Sequence, residues 1–280
     1  MLKIESVSEM RTYAAHTHAA GKRIALVPTQ GALHAGQEAL IRAAAQTADV
    51  VVVSIFVNPL QFPPNEIVAR YPRSIEADLA VCERCGAHVA FVPAVEEIYP
   101  KGFSTYVMEE QVAKPLDGVS RPTHFRGITT IMVKLFTAIR PAYAFFGQKT
   151  AQRAAVVRKM ARDLGFETEV VVVPTVRDPD GLAVGVRNRD LTSAQRQDAL
   201  ALHAAVEKAK AMVAQGVRSP DRIIAEATHI LGERRRIRVI YISMVDPTTL
   251  EPVRDVIPGK AMLAMAAWID EIRLVDNVQL

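Results

Sequence analysis

The sequence is poor in cysteine and contains no apolar run long enough to cross a membrane. Only two cysteines occur in 280 residues, too few for a disulfide-rich scaffold. No apolar stretch approaches the roughly 18–20 residues of a membrane span. The N-terminus also lacks a basic stretch followed by an apolar segment and a small-residue cleavage site, the pattern of a secretory leader. We therefore expect a cytoplasmic protein with no membrane partner.

The two cysteines, Cys82 and Cys85, form a C-x-x-C motif in "CERC". That spacing is found in redox pairs and in half-sites for zinc. The motif falls inside a predicted helix, has no second pair, and has only His88 as a nearby additional ligand. The pattern favours reduced, structural cysteines.

Positive charge exceeds negative charge only mildly, with a formal net charge of +4 spread along the chain. The densest cluster is "RRRIR" at 234–238, which favours a solvated helix end or strand edge over a nucleic-acid patch. No RNA-binding aromatic motif or amphipathic basic helix occurs, so we expect no nucleic-acid partner. A mild positive balance suits anionic small molecules.

Half of the residues are hydrophobic, and they are arranged as alternating strands and helices. The segment "DVVVVSIF" is an almost continuous apolar run, typical of a parallel strand buried on both faces. Alternation of this kind predicts a right-handed, doubly wound parallel sheet over residues 1–175. The predicted strands cover 23–29, 49–56, 88–93, 142–147 and 167–176, and the predicted helices 37–46, 74–86, 128–139 and 150–165.

The composition changes after residue 176, where "RDPDGLAVGVRNRDLTS" forms a polar connection punctuated by glycine. Thr192 or Ser193 is placed to cap a long helix that ends near Val213. We predict a smaller α+β domain over 176–280. Its other elements are a helix at 220–231 and strands at 237–246, 261–269 and 271–278.

A ligand of an open α/β sheet binds outside the carboxyl ends of the strands. There the segment "PTQGALHAGQEAL" joins the first predicted strand to a helix. A helix N-terminus offers unpaired N–H groups, Gly31 and Gly36 allow close approach, and His34 adds a donor that is cationic when protonated. The pattern predicts a phosphate-type anion site, and an ordinary tight turn would share it.

Other polar residues stand at the same predicted edge. Asn58 and Gln61 follow the buried strand, Lys149 follows "FGQ", and Arg187 lies in "VRNRD". Amides can bind hydroxyl and carboxylate groups, and a guanidinium can bind phosphate in a fork. Each is equally compatible with a turn or surface position when taken alone.

Taken together, these segments resemble the pantothenate synthetase family, also called the pantoate–β-alanine ligases. The resemblance runs through the whole chain in order. The matching stretches are "LVPTQGALHAGQEALIRAA", "VVVSIFVNPLQFPPNE", "YPRSIEADL", "RPTHFRGITTIMVKLF", "FFGQK", "PTVRDPDGLA", "RNRDLT" and "RLVDNV".

The resemblance implies a fold and a chemistry. The fold is a Rossmann-like domain of the nucleotidyltransferase type with a lid-like C-terminal α+β domain, in a homodimer. The chemistry uses ATP and Mg²⁺: the carboxylate of pantoate attacks the α-phosphate of ATP, and the amine of β-alanine then attacks the acyl adenylate. Negative charge grows in the first step, so cations and helix-end amides must be placed in advance.

The resemblance also implies roles for individual residues. His34, Lys149 and Arg187 would be catalytic and bind the phosphates, and Asp78 would lie near the metal. The substrate-binding residues would be Gln30, Asn58, Gln61, Tyr71, His124 and Arg153. The nucleotide-binding residues would be Gly36, Gln37, Gly147, Thr150, Val176, Gly185 and Val186.

Several of these positions depart from the family pattern. The family's usual methionine is Gln30, its second histidine is Gln37, and two of its serines are Gly185 and Val186. Its "GEKDYQQ" becomes "GQKTAQR", which introduces Gln148, Thr150, Ala151 and Arg153, and its "QFGPNED" becomes "QFPPNEI", with Pro63 and Ile67. These changes fall in the segments that would face the ligands.

Three interpretations follow from the departures. In the first, the chain is a pantoate–β-alanine ligase with compensating changes. In the second, the pocket accepts a more anionic acid than pantoate, with Arg153 as a bidentate partner for carboxylate or phosphate. In the third, catalysis is lost and the chain only binds ligands.

Overall fold

The structure is a computed structural model that describes residues 1–62 and 74–280 of the chain. The predicted site residue Tyr71 and the altered positions Pro63 and Ile67 lie outside these residues. The described chain forms two compact units. Unit 1 contains Met1–Glu110, Arg121–Gly147 and Val156–Val173, and unit 2 contains Gln111–Ser120, Gln148–Ala155 and Pro174–Leu280.

Unit 1 is built on a sheet of six parallel strands in the order β1-β4-β3-β2-β5-β6. From β2 the chain moves outward through β3 to β4, and it then returns to the other side of β2 to form β5. The strand order therefore reverses between β2 and β5, which confirms the predicted doubly wound sheet. The strands are β1 (Leu2–Ile4), β2 (Ile24–Thr29), β3 (Val50–Ile55), β4 (Val89–Phe91), β5 (Tyr143–Gly147) and β6 (Glu169–Val173).

The central strands are apolar because both of their faces are covered. All six residues of β3 are buried, and β3 pairs with β2 over its whole length, from Ile24↔Val50 to Thr29↔Ile55. One core cluster of this unit packs α2 and α3 against the sheet through Ile41, Val53 and Cys82. The helices are α1 (Val7–Ala19), α2 (Ala35–Thr47), α3 (Ile75–Arg84), α4 (Val95–Ile98) and α6 (His124–Ile139), with α7 (Ala151–Asp163) entering the unit at Val156.

Three elements of unit 1 were not predicted from the sequence, namely β1, α1 and the four-residue helix α4, and one helix is longer than predicted. Strand β1 has only three residues, and helix α1 buries only Met10, Ala14 and Thr17, so neither produces a strong apolar pattern. Helix α6 begins at His124 instead of residue 128, because the polar start "HFRG" breaks the apolar run that predicted it.

Unit 2 contains an antiparallel sheet in the order β7-β8-β9, with helices packed on its core through Leu202, Val206, Ile223 and Leu263. Thr192 is the N-cap of the long helix, in a capping box with Gln195, as one of the two predicted caps. The elements are α5 (Asp117–Ser120), α8 (Ser193–Ala214), α9 (Pro220–Gly232), β7 (Ile237–Val245), β8 (Met262–Ile269) and β9 (Ile272–Gln279).

Two early segments group with unit 2, although the sequence assigned them to a first domain ending at residue 175. Asp117 accepts hydrogen bonds from the Tyr241 hydroxyl (2.7 Å) and from the Arg273 guanidinium (2.9 Å). Gln152 accepts the amide of Asp117 (3.0 Å) and donates to the carbonyl of Pro115 (2.7 Å). These bonds join residues that are far apart in sequence. The domain division at 175 itself stays a prediction.

The cysteines and the arginine cluster have ordinary structural surroundings. Cys82 and Cys85 are free and buried, and burial raises the pKa of Cys82 to about 12. A thiol with a raised pKa is a poor nucleophile. The arginine cluster covers the turn before β7 and the start of that strand, where Arg236 pairs with Asp198 at 3.0 Å. Across the described residues, no helix combines the length and apolar character needed to span a membrane.

Candidate functional site

The turn between β2 and α2 lies at the edge where the strand order reverses. Its backbone is left-handed at Gly31 (φ 80°) and at Ala32 (φ 52°). Thr29 supports the start of the turn, because its hydroxyl donates to the carbonyl of Ser54 (2.8 Å) and accepts the amide of Gly31 (3.3 Å). Helix α2 therefore begins next to the carboxyl ends of the central strands, where ligands of such sheets bind.

His34 is the N-cap of α2, and it forms a capping box with Gln37. The imidazole Nδ1 accepts the amide of Gly36 at 3.1 Å, and Gln37 Oε1 accepts the amide of His34 at 3.1 Å. Because Nδ1 accepts a hydrogen bond, the neutral ring carries its proton on Nε2. Gln37 thus has a structural function in this chain, as the returning partner of the box.

The imidazole ring of His34 lies so close to Gly36 that it leaves no room for a side chain there. A Cβ at residue 36 would lie 2.8 Å from His34 Cε1, so a larger residue would displace the imidazole. This glycine was predicted to contact nucleotide. The structure gives it a contact with His34, and its predicted ligand contact stays untested.

Asp78, on α3, holds the turn that precedes His34. Its carboxylate is 4 % exposed and accepts the amides of Ala32 (2.9 Å) and Leu33 (2.7 Å). A Cβ at Gly31 would approach Asp78 Oδ2 to 2.8 Å. The predicted metal residue is therefore occupied in fixing the left-handed turn.

The surroundings of Asp78 do not fit a magnesium site built from protein ligands alone. Within residues 1–62 and 74–280, no group of three or more His, Cys, Asp or Glu side chains is placed to hold a metal ion. Enzymes that use Mg²⁺ with ATP commonly bind it through one or two carboxylates and the substrate phosphates.

Gln30 and Gln61 are joined directly, since Gln30 Nε2 donates to Gln61 Oε1 at 2.7 Å. The main chain of Gln61 is also held in place, because its carbonyl accepts hydrogen bonds from His124 Nδ1 (3.0 Å) and from the Arg121 guanidinium (3.2 Å). The glutamine that replaces the family's methionine therefore contacts a predicted acid-binding residue. His124 supports Gln61 from the start of α6.

Asn58 is buried, and its side chain makes hydrogen bonds that hold together the segments next to the end of β3. Its Oδ1 accepts from the Tyr99 hydroxyl (2.9 Å) and from the amide of Leu60 (3.2 Å), and its Nδ2 donates to the carbonyl of Gly127 (2.9 Å). Sequence reasoning missed Tyr99 and Gly127. A Cβ at Gly127 would lie 2.3 Å from the Leu60 carbonyl oxygen, and the glycine in "THFRG" was the available signal.

A cavity of about 350 Å³ lies beside this turn in unit 1. It is lined by the carboxyl-end residues of the central strands and by the first turn of α3, among them Gln30, Gly31, Phe56, Ser74, Asp78 and Val92. Its size is within the range of small-molecule pockets.

Lys149 belongs to unit 2, in the 3₁₀ turn Gln148–Thr150. Its ammonium donates to the carbonyls of Ala183 (3.0 Å) and Val184 (2.9 Å). Burial lowers the pKa of Lys149 to about 8, and the charge of Asp276 acts in the opposite direction.

The buried residues Asp276 and Asn277 on β9 support this lysine, and sequence reasoning assigned them no role. Asn277 Nδ2 donates to the carbonyls of Gln148 (2.8 Å) and Lys149 (3.1 Å). Asp276 accepts both terminal nitrogens of Arg177, at 2.7 and 2.9 Å. Their only sequence signal was the match of "RLVDNV" to the family pattern.

The remaining predicted residues belong to several different elements. Val176 accepts the amide of Val184 at 2.9 Å. Gly185 is the N-cap of the 3₁₀ turn Val186–Asp190, which contains the exposed Arg187. Gly147 ends β5, Thr150 ends the following 3₁₀ turn, and Arg153 is half-buried in the first turn of α7. Unit 1 thus gathers Gln30, His34, Gln37, Asn58, Gln61, Asp78 and His124, and unit 2 gathers Lys149, Val176 and Gly185.

A parallel sheet with a histidine-capped helix at its order reversal, together with a separate antiparallel unit, defines an α/β protein of the nucleotidyltransferase type. The comparison with known proteins is more specific. The model of the family described as pantoate–β-alanine ligase matches residues 3–279. The chain belongs to this family.

Individual relatives agree over the full length. The pantothenate synthetases of Moorella thermoacetica and Thermotoga neapolitana are each 44 % identical to the chain, over 99 % and 98 % of it and 98 % of each relative. A crystal structure of pantothenate synthetase from Thermus thermophilus superposes with a TM-score of 0.92 at 39 % identity, covering 100 % of this chain and 99 % of that one. A pantoate–β-alanine ligase from Francisella tularensis, complexed with β,γ-ATP and β-alanine, gives a TM-score of 0.81 at 27 % identity over 100 % and 97 % of the two chains.

Proposed function

We propose that this chain joins pantoate to β-alanine in an ATP-dependent reaction that releases AMP and pyrophosphate. The observation that carries the proposal is the family match over residues 3–279. This match favours ligation over a changed acid substrate and over a protein that only binds ligands.

The reaction has two steps. A carboxylate oxygen of pantoate attacks the α-phosphorus of ATP, the bond to the β-phosphate oxygen breaks, and pyrophosphate leaves. The amine of β-alanine then attacks the acyl carbon of pantoyl adenylate, loses a proton, and expels AMP. The first step brings together two anions, so its transition state needs oriented donors and cations.

The residues of the chain suit that requirement. In the proposed assignment, the Nε2–H of His34 binds a phosphate oxygen at the positive N-terminal end of α2. Lys149 and Arg187 supply positive charge to the polyphosphate. Gln30 and Gln61 form the amide pair that receives pantoate, and Asn58 and His124 keep this pair in place. The roles of Gly147, Thr150, Arg153, Val176 and Val186 follow only from the resemblance.

Three further parts of the proposal come from the resemblance. Mg²⁺ would accompany ATP, where it neutralises phosphate charge, and its ligands would be chiefly the phosphates. The chain would form a homodimer in the cytoplasm. Sedimentation velocity at several concentrations measures the oligomeric state directly.

The test is pyrophosphate release by the purified protein with ATP, Mg²⁺ and pantoate, with and without β-alanine. We expect release that requires pantoate, and sustained AMP formation only when β-alanine is present. The His34→Asn variant, purified identically, reports contaminating host enzyme: asparagine keeps an N-cap oxygen, and loss of the imidazole donor should lower the rate about 10²-fold. A folded wild-type protein that gives no pantoate-dependent release would overturn the proposal.

A further inference from the structure

Gly185 makes an unusually close approach to the Lys149 ammonium. A Cβ built on Gly185 would lie 2.5 Å from Lys149 Nζ and 3.7 Å from its Cε, far inside van der Waals contact. The backbone of Gly185 is extended (φ −167°, ψ 154°), a conformation open to any residue. Space for the ammonium, and not backbone conformation, therefore explains the glycine.

The ammonium fills that space with defined partners. Two of its three N–H groups donate to the carbonyls of Ala183 and Val184, at 3.0 and 2.9 Å. Asn188 holds the same loop, since its Nδ2 donates to the Ala183 carbonyl at 3.0 Å. Its buried Oδ1 has no hydrogen-bond partner in the described part of the chain, and it would lie 3.5 Å from a Cβ at residue 185.

The resemblance places a serine where this chain has Gly185. A serine Cβ could not coexist with Nζ in its present position, although its hydroxyl could reach Asn188 Oδ1. The colliding group on Lys149 is the end of a flexible side chain, so the fold can accept a Cβ and the ammonium would move instead.

We propose that Gly185 is a positioning residue for Lys149: its missing side chain lets the ammonium dock on the carbonyls of Ala183 and Val184. One N–H group then remains for a phosphate oxygen, in an orientation set before ATP binds. The position of the ammonium stands on the geometry alone, whereas its catalytic consequence rests on the proposed function.

Gly185→Ala and Gly185→Ser test the docking without any assay of ligation. Both add the same Cβ, and only serine adds a hydroxyl. The matched control is Gly232→Ala, where nothing lies within 4 Å of an added Cβ. The readout is the pH dependence of Lys149 acetylation by acetic anhydride, measured on its peptide by mass spectrometry.

In the wild type and the control, we expect slow acetylation with a half-point near pH 8, since burial lowers the pKa of Lys149 to about 8. In both Gly185 variants the reaction should become faster at high pH, and its half-point should rise by about one unit or more as the amine regains solvent. An unchanged half-point in both variants would overturn the docking. A changed half-point in Gly185→Ser alone would also overturn the docking, because the cause would then be the serine hydroxyl and not the added Cβ.

Steady-state kinetics then tests the consequence. Displacing an oriented donor by about 1 Å can cost up to about 10²-fold, so kcat/KM for ATP should fall in both variants while KM for β-alanine stays constant. The basic limb of the kcat/KM profile should move upward with the acetylation half-point. Wild-type kinetics in a variant with altered acetylation would refute the positioning role. An inactive wild type with altered acetylation in the variants would refute the proposed function and leave the docking intact.

Discussion

At the scale of single residues, Gln37 combines a structural contact with a departure from the family pattern. It stands where the family has a second histidine, and it closes the capping box on His34 through an amide oxygen. A glutamine donates and accepts hydrogen bonds but carries no charge. The N-terminus of α2 is thus closed by an uncharged amide beside the proposed phosphate site.

Two variants of Gln37 should separate the cap from the ligand site. Gln37→Glu keeps an acceptor and adds negative charge near the positive helix end, so the free energy of unfolding should rise by about 0.3–1 kcal/mol. The same charge should repel ATP and lower kcat/KM roughly tenfold, since like charges in a partly buried site cost about 1–2 kcal/mol. Gln37→Ala should instead lower stability, by about 1 kcal/mol. Denaturant titration measures the stability of each variant, and steady-state kinetics measures kcat/KM for ATP. Lower stability or unchanged ATP kinetics in Gln37→Glu would contradict the separate structural and ligand-binding effects.

At the scale of elements, one carboxylate on α3 fixes the conformation of the turn before α2. Asp78 binds two consecutive amides of that turn, at 2.9 and 2.7 Å, and the turn includes a non-glycine residue with positive φ, Ala32. Such conformations persist where the surroundings impose them. The position of His34 is therefore set by a helix more than 40 residues further along the chain.

Asp78→Asn should distinguish this structural function from metal binding. Asparagine can accept only one of the two amides and turns an NH₂ group toward the other, which costs about 1–3 kcal/mol. We expect lower stability and lower kcat/KM for ATP, with an unchanged Mg²⁺ concentration for half-maximal rate. The control is Glu76→Gln, on an exposed position of the same helix. A metal ligand would instead raise the Mg²⁺ requirement, and a magnesium titration of the rate decides between the two.

The packing of α6 on the 3₁₀ turn Pro59–Gln61 depends on Gly127 in a similar way. The added methyl group of Gly127→Ala would meet the Leu60 carbonyl, a backbone atom that cannot move alone, and overpacking of this kind costs about 1–3 kcal/mol. We expect a lower melting temperature and a weaker apparent affinity for pantoate, because Asn58 and Gln61 shift with the turn. Gly232→Ala is the control and should be neutral or stabilising. Equal melting temperatures for the two variants would refute the close contact.

At the scale of the whole molecule, unit 2 is assembled from three separate stretches of chain. Asp117 connects the first of these stretches to the third, because its carboxylate accepts hydrogen bonds from Arg273 on β9 and from Tyr241 on β7. The side chains of Arg273 and Asp117 are 7 % and 18 % exposed, so this ion pair is largely shielded from water.

Asp117→Ala should destabilise the protein by about 3 kcal/mol, because it leaves a buried guanidinium without its counter-charge. Arg273→Met in the same chain should recover part of the loss, so the double variant should be more stable than the Asp117→Ala single variant. Glu226→Ala, which breaks the exposed pair with Lys208, should cost about 1 kcal/mol or less. Denaturant unfolding of the variants gives the coupling, and purely additive effects would argue against a buried pair.

Much of this architecture could be predicted from periodicity. The run of valines in β3, the alternation of strands and helices, and the cap at Thr192 all have local signals, and the structure confirms them. Strand β1 and helix α1 have weak local signals, and the start of α6 is polar, so these were missed or placed late. Tyr99, Gly127, Asp276 and Asn277 were missed as supporting residues because each acts on a segment remote in sequence.

The sequence by itself determined the family, the doubly wound sheet, and the segments that carry the proposed site, because these depend on local pattern and on the order of motifs. Tertiary structure alone decided what each polar side chain does there. It shows Asp78 as the support of a turn, Gln37 as part of a cap, and Gly185 as space for an ammonium, while the metal role of Asp78 stays a prediction. A hydrogen bond or a steric contact depends on atoms that the fold brings within about 3 Å, and sequence spacing does not report that distance.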